Sequence, residues 1–440
     1  MSNNANAQGL IDFIESCPSM FHTTATIRER LVSEGFAELK EGDAWKIEQG
    51  GRYFVTRNGS SIAAFAVGKT LDDYHFQVAA SHGDSPTYKI KAHPTREGAH
   101  GYVKLCIEAY GGMIDHTWFD RPLGVAGRVL VREGNAVKSV LYDSDRDVAL
   151  IPSLAIHLNR ESGLKTDIKR NVDLMPLFSA GELGPDGFDA MVASDLGVDV
   201  ADVLSRDLFV VNREKAVVWG AKQEFVSSPK LDDLGCAYTS LEGFLAAGVN
   251  DAQVNVFVCF DNEEVGSGTK QGALSTFLKD CLVRLNAALG KTDEDYRRAV
   301  AKSFLMSCDN AHACSPNYPS FYDETNRCWL NDGLVIKEAA NQHYCSDAFS
   351  RAVIVALLQG ENIPYQTFAN RSDMAGGGTL GNLSNQQVSM HGVDVGLPQL
   401  AMHSCYETGG ATDVELGAAA LEAFFSHDIV IDGADGFQIK

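Results

Sequence analysis

Apolar and polar positions alternate along the chain in two rhythms, short unbroken apolar runs and longer stretches with helical spacing. The clearest run, Val254 to Phe260, reads as a buried strand. Gly266-Ser267-Gly268 then suits a sharp turn into a helix near Gln271 to Leu289, stopped by Gly290. Gly9 to Ser16 and Thr23 to Glu34 read as helices, the second ended by Gly35. Arg52 to Thr56 and Ser61 to Val67 read as a hairpin about Asn58-Gly59. Phe76 to Ala80 is a short strand that runs into Ser81-His82-Gly83-Asp84-Ser85-Pro86. Phe304 to Cys308 is a strand ending in Asp309, Ser346 caps a helix to Leu358, Gly396 to Met402 leads into His403, and Asp413 to Phe425 is a last helix.

Between these stretches the texture changes. Lys104 to Ile107, Val125 to Val131 and Ala136 to Tyr142 are short β-like runs, followed by a polar, Gly-rich stretch over 181–189. The pattern predicts an α/β fold, a mixed sheet flanked by helices over 1–91 and 226–440, with a β-rich domain inserted over 92–225. In open α/β sheets, ligands bind at the carboxyl ends of strands.

Composition narrows the function. At 440 residues the length prior is two to three domains, and 45% hydrophobic with 22% charged residues describes a globular protein with a sizeable core. The formal charge of −21 argues against nucleic acid and anionic membrane surfaces as partners. No apolar run approaches the roughly 20 residues that span a bilayer, and Met1 to Ile14 has no signal-peptide pattern. The 10 cysteines form no Cys-x-x-Cys pair, so buried reduced thiols and a cytoplasmic protein are expected.

The chemistry gathers at predicted strand ends. Asp261-Asn262-Glu263-Glu264 sets two adjacent carboxylates after a buried strand, which is costly unless a positive charge faces them. Alone, the pair also fits a solvated acidic turn. His82, Asp84, Asp232, Asp309 and His403 stand at or just beyond other strand ends, and imidazole with carboxylate suits Zn²⁺ and its neighbours in the first transition row. Five ligands with one shared carboxylate can hold two ions about 3.5–4 Å apart, which lower the pKa of water and polarise a carbonyl. The residue types alone do not choose Asp232 over Asp233, or Glu263 over Glu264 as the base.

Taken in order, these segments resemble the aspartyl aminopeptidase family of metalloaminopeptidases, which are co-catalytic zinc exopeptidases. The resemblance is carried by Ser81 to Pro86, Thr117-Trp118-Phe119-Asp120-Arg121, Ser228-Pro229-Lys230-Leu231-Asp232-Asp233-Leu234 and Asp261 to Ser267. It continues through Asp309-Asn310-Ala311-His312, Pro316-Asn317-Tyr318, Gly333-Leu334-Val335-Ile336-Lys337 and Leu397 to Ser404. The resemblance implies that His82 and Asp309 bind one divalent ion, Glu264 and His403 a second, and that Asp232 bridges them. Zn²⁺ is the expected ion, with Mn²⁺ or Co²⁺ as alternatives. It further implies Glu263 as general base and Asp84 as the group orienting His82. His157, in Ile156-His157-Leu158-Asn159-Arg160, would reach the active site of a neighbouring subunit.

Lys337 would be a cation near the pocket for the substrate's first side chain, favouring Asp or Glu there. Gly377 and Gly378 would line that pocket. The expected substrates are short peptides and the expected assembly is a homo-oligomer of twelve subunits, built through the inserted domain. Gly111-Gly112-Met113-Ile114 departs from the usual three glycines with an apolar pair, a departure expected to bear on subunit contacts rather than on metal binding. Cys314 and Cys405 read as packing residues. The same hardware also suits a carboxypeptidase or an N-acyl amino acid deacylase, with Arg371 as a candidate carboxylate clamp. The least favoured reading is a self-assembling shell or binding protein.

Overall fold

The computed structural model describes residues 5–158 and 168–440. A nine-stranded sheet forms its spine. From one edge to the other the strands run Ala37–Leu39, Arg52–Arg57, Ser61–Val67, Val254–Phe260, Phe76–His82, Phe304–Cys308, His391–Gly396, Leu334–Glu338 and Tyr365–Ala369. Four neighbours in the middle, Val254–Phe260, Phe76–His82, Phe304–Cys308 and His391–Gly396, are mutually parallel. Their carboxyl ends therefore open on the same side, and Phe260 pairs with His82 at that edge.

Alternation along the central strands divides the core. Phe257 and Cys259 point into a cluster with the helices Ala5–Glu15, Met20–Ser33, Leu231–Ala247, Ala348–Gly360 and Ala411–Ser426. Val256, Val258 and Phe260 point to the other face, against Phe277–Ala288 and Asp293–Ala301. A strand buried on both faces is apolar at nearly every position, which explains the run in the sequence; the exception, Asn255, donates to the Phe425 carbonyl at 2.8 Å.

The chain leaves this sheet at His82 and enters a second, seven-stranded sheet at Thr87. That sheet is built from strands between Thr87 and Asn212. Val203–Asn212 pairs with both Thr87–Glu97 and Pro122–Glu133, so the strand order closes on itself around a separate core that includes Tyr88, Leu105, Trp118 and Val210. A smaller five-stranded sheet holds Phe225–Ser228, Glu407–Gly410 and Pro398–Leu400 side by side.

Local signals in the sequence have clear counterparts. Asn58 and Gly59 both adopt positive φ between two antiparallel strands, the conformation for which Asn-Gly is selected. Three details differ from expectation. The helix after the Glu-Glu segment starts at Phe277, because Asn262 Oδ1 accepts hydrogen bonds from Thr269 and Gln271 and so holds the intervening chain in turns. The helix Ala348–Gly360 is capped by Asp347, which accepts from the Ser350 amide, while the Ser346 hydroxyl accepts from the Asp394 amide. The strand before His403 ends at Gly396, and Pro398–Leu400 joins the small sheet instead.

Helix Leu231–Ala247 carries Asp232 at its start and packs along Ala411–Ser426. The two backbones approach at Gly243, where an added Cβ would lie 2.5 Å from Leu421 Cβ and 2.6 Å from the Glu422 amide nitrogen. Backbone cannot yield there as a side-chain tip would. We expect Gly243→Ala to destabilise the protein by about 1–3 kcal/mol through overpacking. Denaturant unfolding measures it, and an unchanged midpoint would show that the helices can separate at no cost.

Candidate active site

The candidate residues converge where the parallel strands end. His82 is the last residue of Phe76–His82, Glu263 and Glu264 form a single 3-10 turn just past Val254–Phe260, and Asp309 follows Phe304–Cys308. Asp232 enters from Phe225–Ser228 and His403 from Pro398–Leu400, strands of the small sheet. Asp232 lies between the two imidazoles. Its Oδ1 is 3.5 Å from His82 Nε2 and its Oδ2 is 3.6 Å from His403 Nε2. His82 Nε2 is also 3.8 Å from Asp309 Oδ1 and 4.0 Å from Glu263 Oε2, while His403 Nε2 is 3.5 Å from Glu264 Oε2.

Outer contacts fix the ring orientations. His82 Nδ1 is 3.1 Å from the Asp84 main-chain carbonyl, and His403 Nδ1 is 2.6 Å from the Gly112 carbonyl. A carbonyl only accepts, so each Nδ1 carries a hydrogen and Nε2 is the nitrogen left to face the carboxylates, the one that could bind an ion. The Asp84 carboxylate accepts from the Glu263 and Glu264 amides, both at 3.2 Å, and from the Tyr110 hydroxyl at 2.8 Å. Gly112 belongs to the stretch whose departure from the family pattern was expected to touch subunit contacts alone. That expectation is corrected: Gly112 orients His403, and a Cβ on Gly111 would sit 3.2 Å from Glu264 Cβ.

Electrostatics set the demand. His82 is 1% and Asp232 3% exposed. Burial disfavours the His82 imidazolium, but Asp233, Asp232, Asp309 and Asp84 outweigh it and hold its pKa well above the usual value. Burial likewise opposes ionisation of Asp232, yet His403 and His82 hold its carboxyl below the usual carboxylate range. Burial pushes Glu263 up to about 8, opposed by His82 and reinforced by Asp309 and Asp84. Burial also lifts Glu264, and Asp232 adds to it. Asp232 Oδ1, Asp233 Oδ1 and Glu264 Oε1 are buried with no hydrogen-bond partner. Unsatisfied acceptors facing one another at this depth are expensive. A divalent cation removes the cost, and the donor set of imidazole nitrogen and carboxylate oxygen fits Zn²⁺. Three groups among the described residues have ligand atoms within 4.8 Å of one another: His82-Asp232-Asp233-Asp309, His82-Glu263-Glu264 and Asp232-Glu264-His403.

Other candidates stand differently. Lys337 is 2% exposed, and its Nζ donates to the Asp309 carbonyl at 2.7 Å and lies 3.7 Å from Asp309 Oδ2. Burial opposes its charge, yet Asp309 holds its pKa above the usual value. The lysine is therefore neither solvated nor free; its ammonium is committed to a candidate ligand. Gly377 lines an open groove with His312, Tyr318, Phe321, Tyr322 and Met374, and Gly378 sits beside His343. His157 lies on an exposed turn and is not among the groups that converge on His82 and His403. Asn159 and Arg160 of its motif lie outside the described residues. Arg371 is engaged by Asp373 and the Ser320 carbonyl. Cys314 and Cys405 are buried free thiols.

Two further carboxylates belong here: Asp233, which residue type alone left open beside Asp232, and Glu407, which sequence reasoning missed. Asp233 accepts from the His82 amide at 3.1 Å. Glu407 accepts from the amides of His403 at 2.6 Å and Asp232 at 3.0 Å. The only trace of Glu407 in the sequence is an acidic residue one short turn after His403.

Comparison with known proteins agrees with this geometry. The family model described as aminopeptidase I zinc metalloprotease (M18) matches residues 13–425. A probable M18 family aminopeptidase 2 of Clostridium novyi is 42% identical over 429 residues, covering 96% of this chain and 98% of its own. Among solved structures, a chain of the Ape4 and Nbr1 complex superposes with a TM-score of 0.93 at 35% identity, over 97% of this chain and 86% of that one. The S. cerevisiae mApe1 dodecamer gives 0.86 at 28% identity, over 97% and 98%. A chain matched along nearly its whole length, with imidazoles and carboxylates gathered at its strand ends, belongs to the M18 family of zinc metallopeptidases and is an aminopeptidase.

Proposed function

We propose that the protein is a two-metal aminopeptidase that removes the first residue of short peptides. The observation that carries the reading is Asp232, whose two oxygens face the two histidines at 3.5 and 3.6 Å. His82 and Asp309 would hold one divalent ion, Glu264 and His403 the other, and Asp232 both. Zinc is the ion that the donor chemistry favours, with manganese or cobalt as substitutes. When bound, such a pair lowers the pKa of water toward neutrality and polarises a carbonyl.

Glu263 supplies the proton chemistry. Its carboxylate takes a proton from the attacking water and delivers it to the departing amine nitrogen. Asp84 keeps the Glu263 and Glu264 amides fixed, so the base does not drift between the two transfers. The carboxylates of the site also attract a free amino terminus, which favours cleavage at the end of a chain.

The resemblance to aspartyl aminopeptidases supports Asp or Glu as the preferred first residue, with neutral residues accepted. Lys337 acts in this reading on Asp309 rather than on the substrate. The chain would work as a homo-oligomer, a dodecamer as in the mApe1 relative, assembled through residues 92–225. His157 would complete a neighbouring active site and Gly377 and Gly378 would line the substrate groove. No described helix is long and apolar enough to cross a membrane. The acidic charge disfavours nucleic acid as a partner, and a cytoplasmic setting follows from the cysteine usage.

Three measurements test this. Chelation should abolish release of a chromogenic amine, and zinc, manganese or cobalt should restore it. Glu263→Gln should lower kcat by roughly 10²–10⁴-fold with zinc content unchanged; retained turnover would remove Glu263 as the base. Lys337→Met should lower kcat/KM on Asp-, Glu- and Leu-linked substrates by similar factors. A loss confined to the acidic substrates would instead return Lys337 to the substrate pocket.

A further inference from the structure

Glu407 has no place in the chemistry above, yet it is 1% exposed and both of its oxygens are used. It starts the strand Glu407–Gly410, which lies between the strand leading to Asp232 and the strand leading to His403. Ser228 pairs with Glu407 on one side, and Gln399 pairs with Gly409 on the other. At the mouth of this three-strand unit the Glu407 carboxylate accepts one amide from each flanking loop, from Asp232 through Oε2 at 3.0 Å and from His403 through Oε1 at 2.6 Å.

The two anchored residues need holding. His403 has φ of 67°, the left-handed region that non-glycine residues rarely adopt. Asp232 has ψ of 110°, extended backbone at the start of a helix. The extended backbone of Asp232 is ordinary in itself, but the His403 conformation is not favoured locally, and an outlier of that kind persists where surrounding contacts over-determine it. A carboxylate is suited to bridging two N–H groups because each oxygen accepts. An amide of the same shape has one accepting oxygen, and its NH₂ would face an N–H donor.

We propose that Glu407 is a positioning residue that sets the register of Asp232 against His403, and through it the affinity for the ion these two would share. This rests on the two-metal reading. The role differs from that of Asp84, which accepts the Glu263 and Glu264 amides on the opposite side of the site.

The test compares Glu407→Gln with a matched control. Asp413 is equally buried, at 1% exposure, and accepts the Asn331 and Gly333 amides at 2.6 and 2.9 Å, but touches no candidate ligand. Zinc is titrated against a competing chelator in the full-length wild type, Glu407→Gln, Asp413→Asn, His403→Ala and the Glu407→Gln/His403→Ala double variant, with circular dichroism verifying each fold. Glu407→Gln should weaken the zinc-binding step that His403 serves by about 10–100-fold, the range for outer partners of metal ligands, and the other step, which Asp232 also serves, by less. It should weaken the same step as His403→Ala, and the double variant should lose little more than His403→Ala alone. Asp413→Asn should lower the melting temperature and keep both steps.

Zinc binding by Glu407→Gln equal to wild type, or losses that add in the double variant, would overturn the proposal. A wild type that binds a single zinc would defeat the two-metal reading by itself. Glu407 would then be judged on that one step, a tenfold loss sustaining the role and no loss ending it. If Glu407→Gln does not fold, Glu407→Asp replaces it; the shorter arm keeps the charge but reaches one amide, and the same outcomes apply.

Discussion

The structure depends on an excess of buried carboxylate around two imidazoles. Asp232, Asp233, Asp309, Glu263 and Glu264 crowd the Nε2 sides of His82 and His403, and three of their oxygens have no hydrogen-bond partner. Protein groups alone satisfy such a cluster poorly. The histidines are drawn toward the imidazolium and the glutamates toward the neutral acid, against their usual behaviour. Cations replace those protons, so metal binding and the integrity of the site are one equilibrium. The rest of the fold reads as scaffolding for that cluster. Parallel strands bring His82, Glu263, Glu264 and Asp309 to one edge, and the small sheet brings Asp232 and His403 across from it.

What holds the cluster is a set of outer contacts with a shared logic. Asp84 accepts two successive amides of the Glu-Glu turn, Glu407 accepts the amides of Asp232 and His403, and Asp233 accepts the amide of His82. Each is a carboxylate spent on main-chain N–H groups. Lys337 adds a positive charge on the far side of Asp309 and keeps that carboxylate ionised and oriented. The inner oxygens face the histidines, while main-chain N–H groups solvate oxygens of Asp84, Glu407 and Asp233.

Much of this was legible in the sequence because it follows from local pattern. Val254 to Phe260 announced a strand buried on both faces, and Asn58-Gly59 announced a hairpin. His82, Asp232, Glu264, Asp309 and His403 stood out as ligand types at strand ends, and they do meet in space. What was illegible is non-local. Glu407 reaches Asp232 across 175 positions of sequence and His403 is oriented by Gly112 across 291; no periodicity encodes such contacts. Lys337 shows the same limit. Val335-Ile336-Lys337 shows a lysine on a strand but cannot show that Asp309, just past the end of another strand, will pair with its charge. The helix start at Phe277 escaped because Asn262 side-chain bonds, rather than propensity, hold back the chain before it.

The central claim is that Asp232 joins two ions. Zinc-edge X-ray absorption on the zinc-loaded protein, beside an Asp232→Ala variant, addresses it directly. The account predicts a zinc–zinc separation of about 3.5–4 Å in the wild type that vanishes in the variant. A wild-type spectrum with no zinc neighbour at that range, in protein holding its full complement of metal, would contradict it.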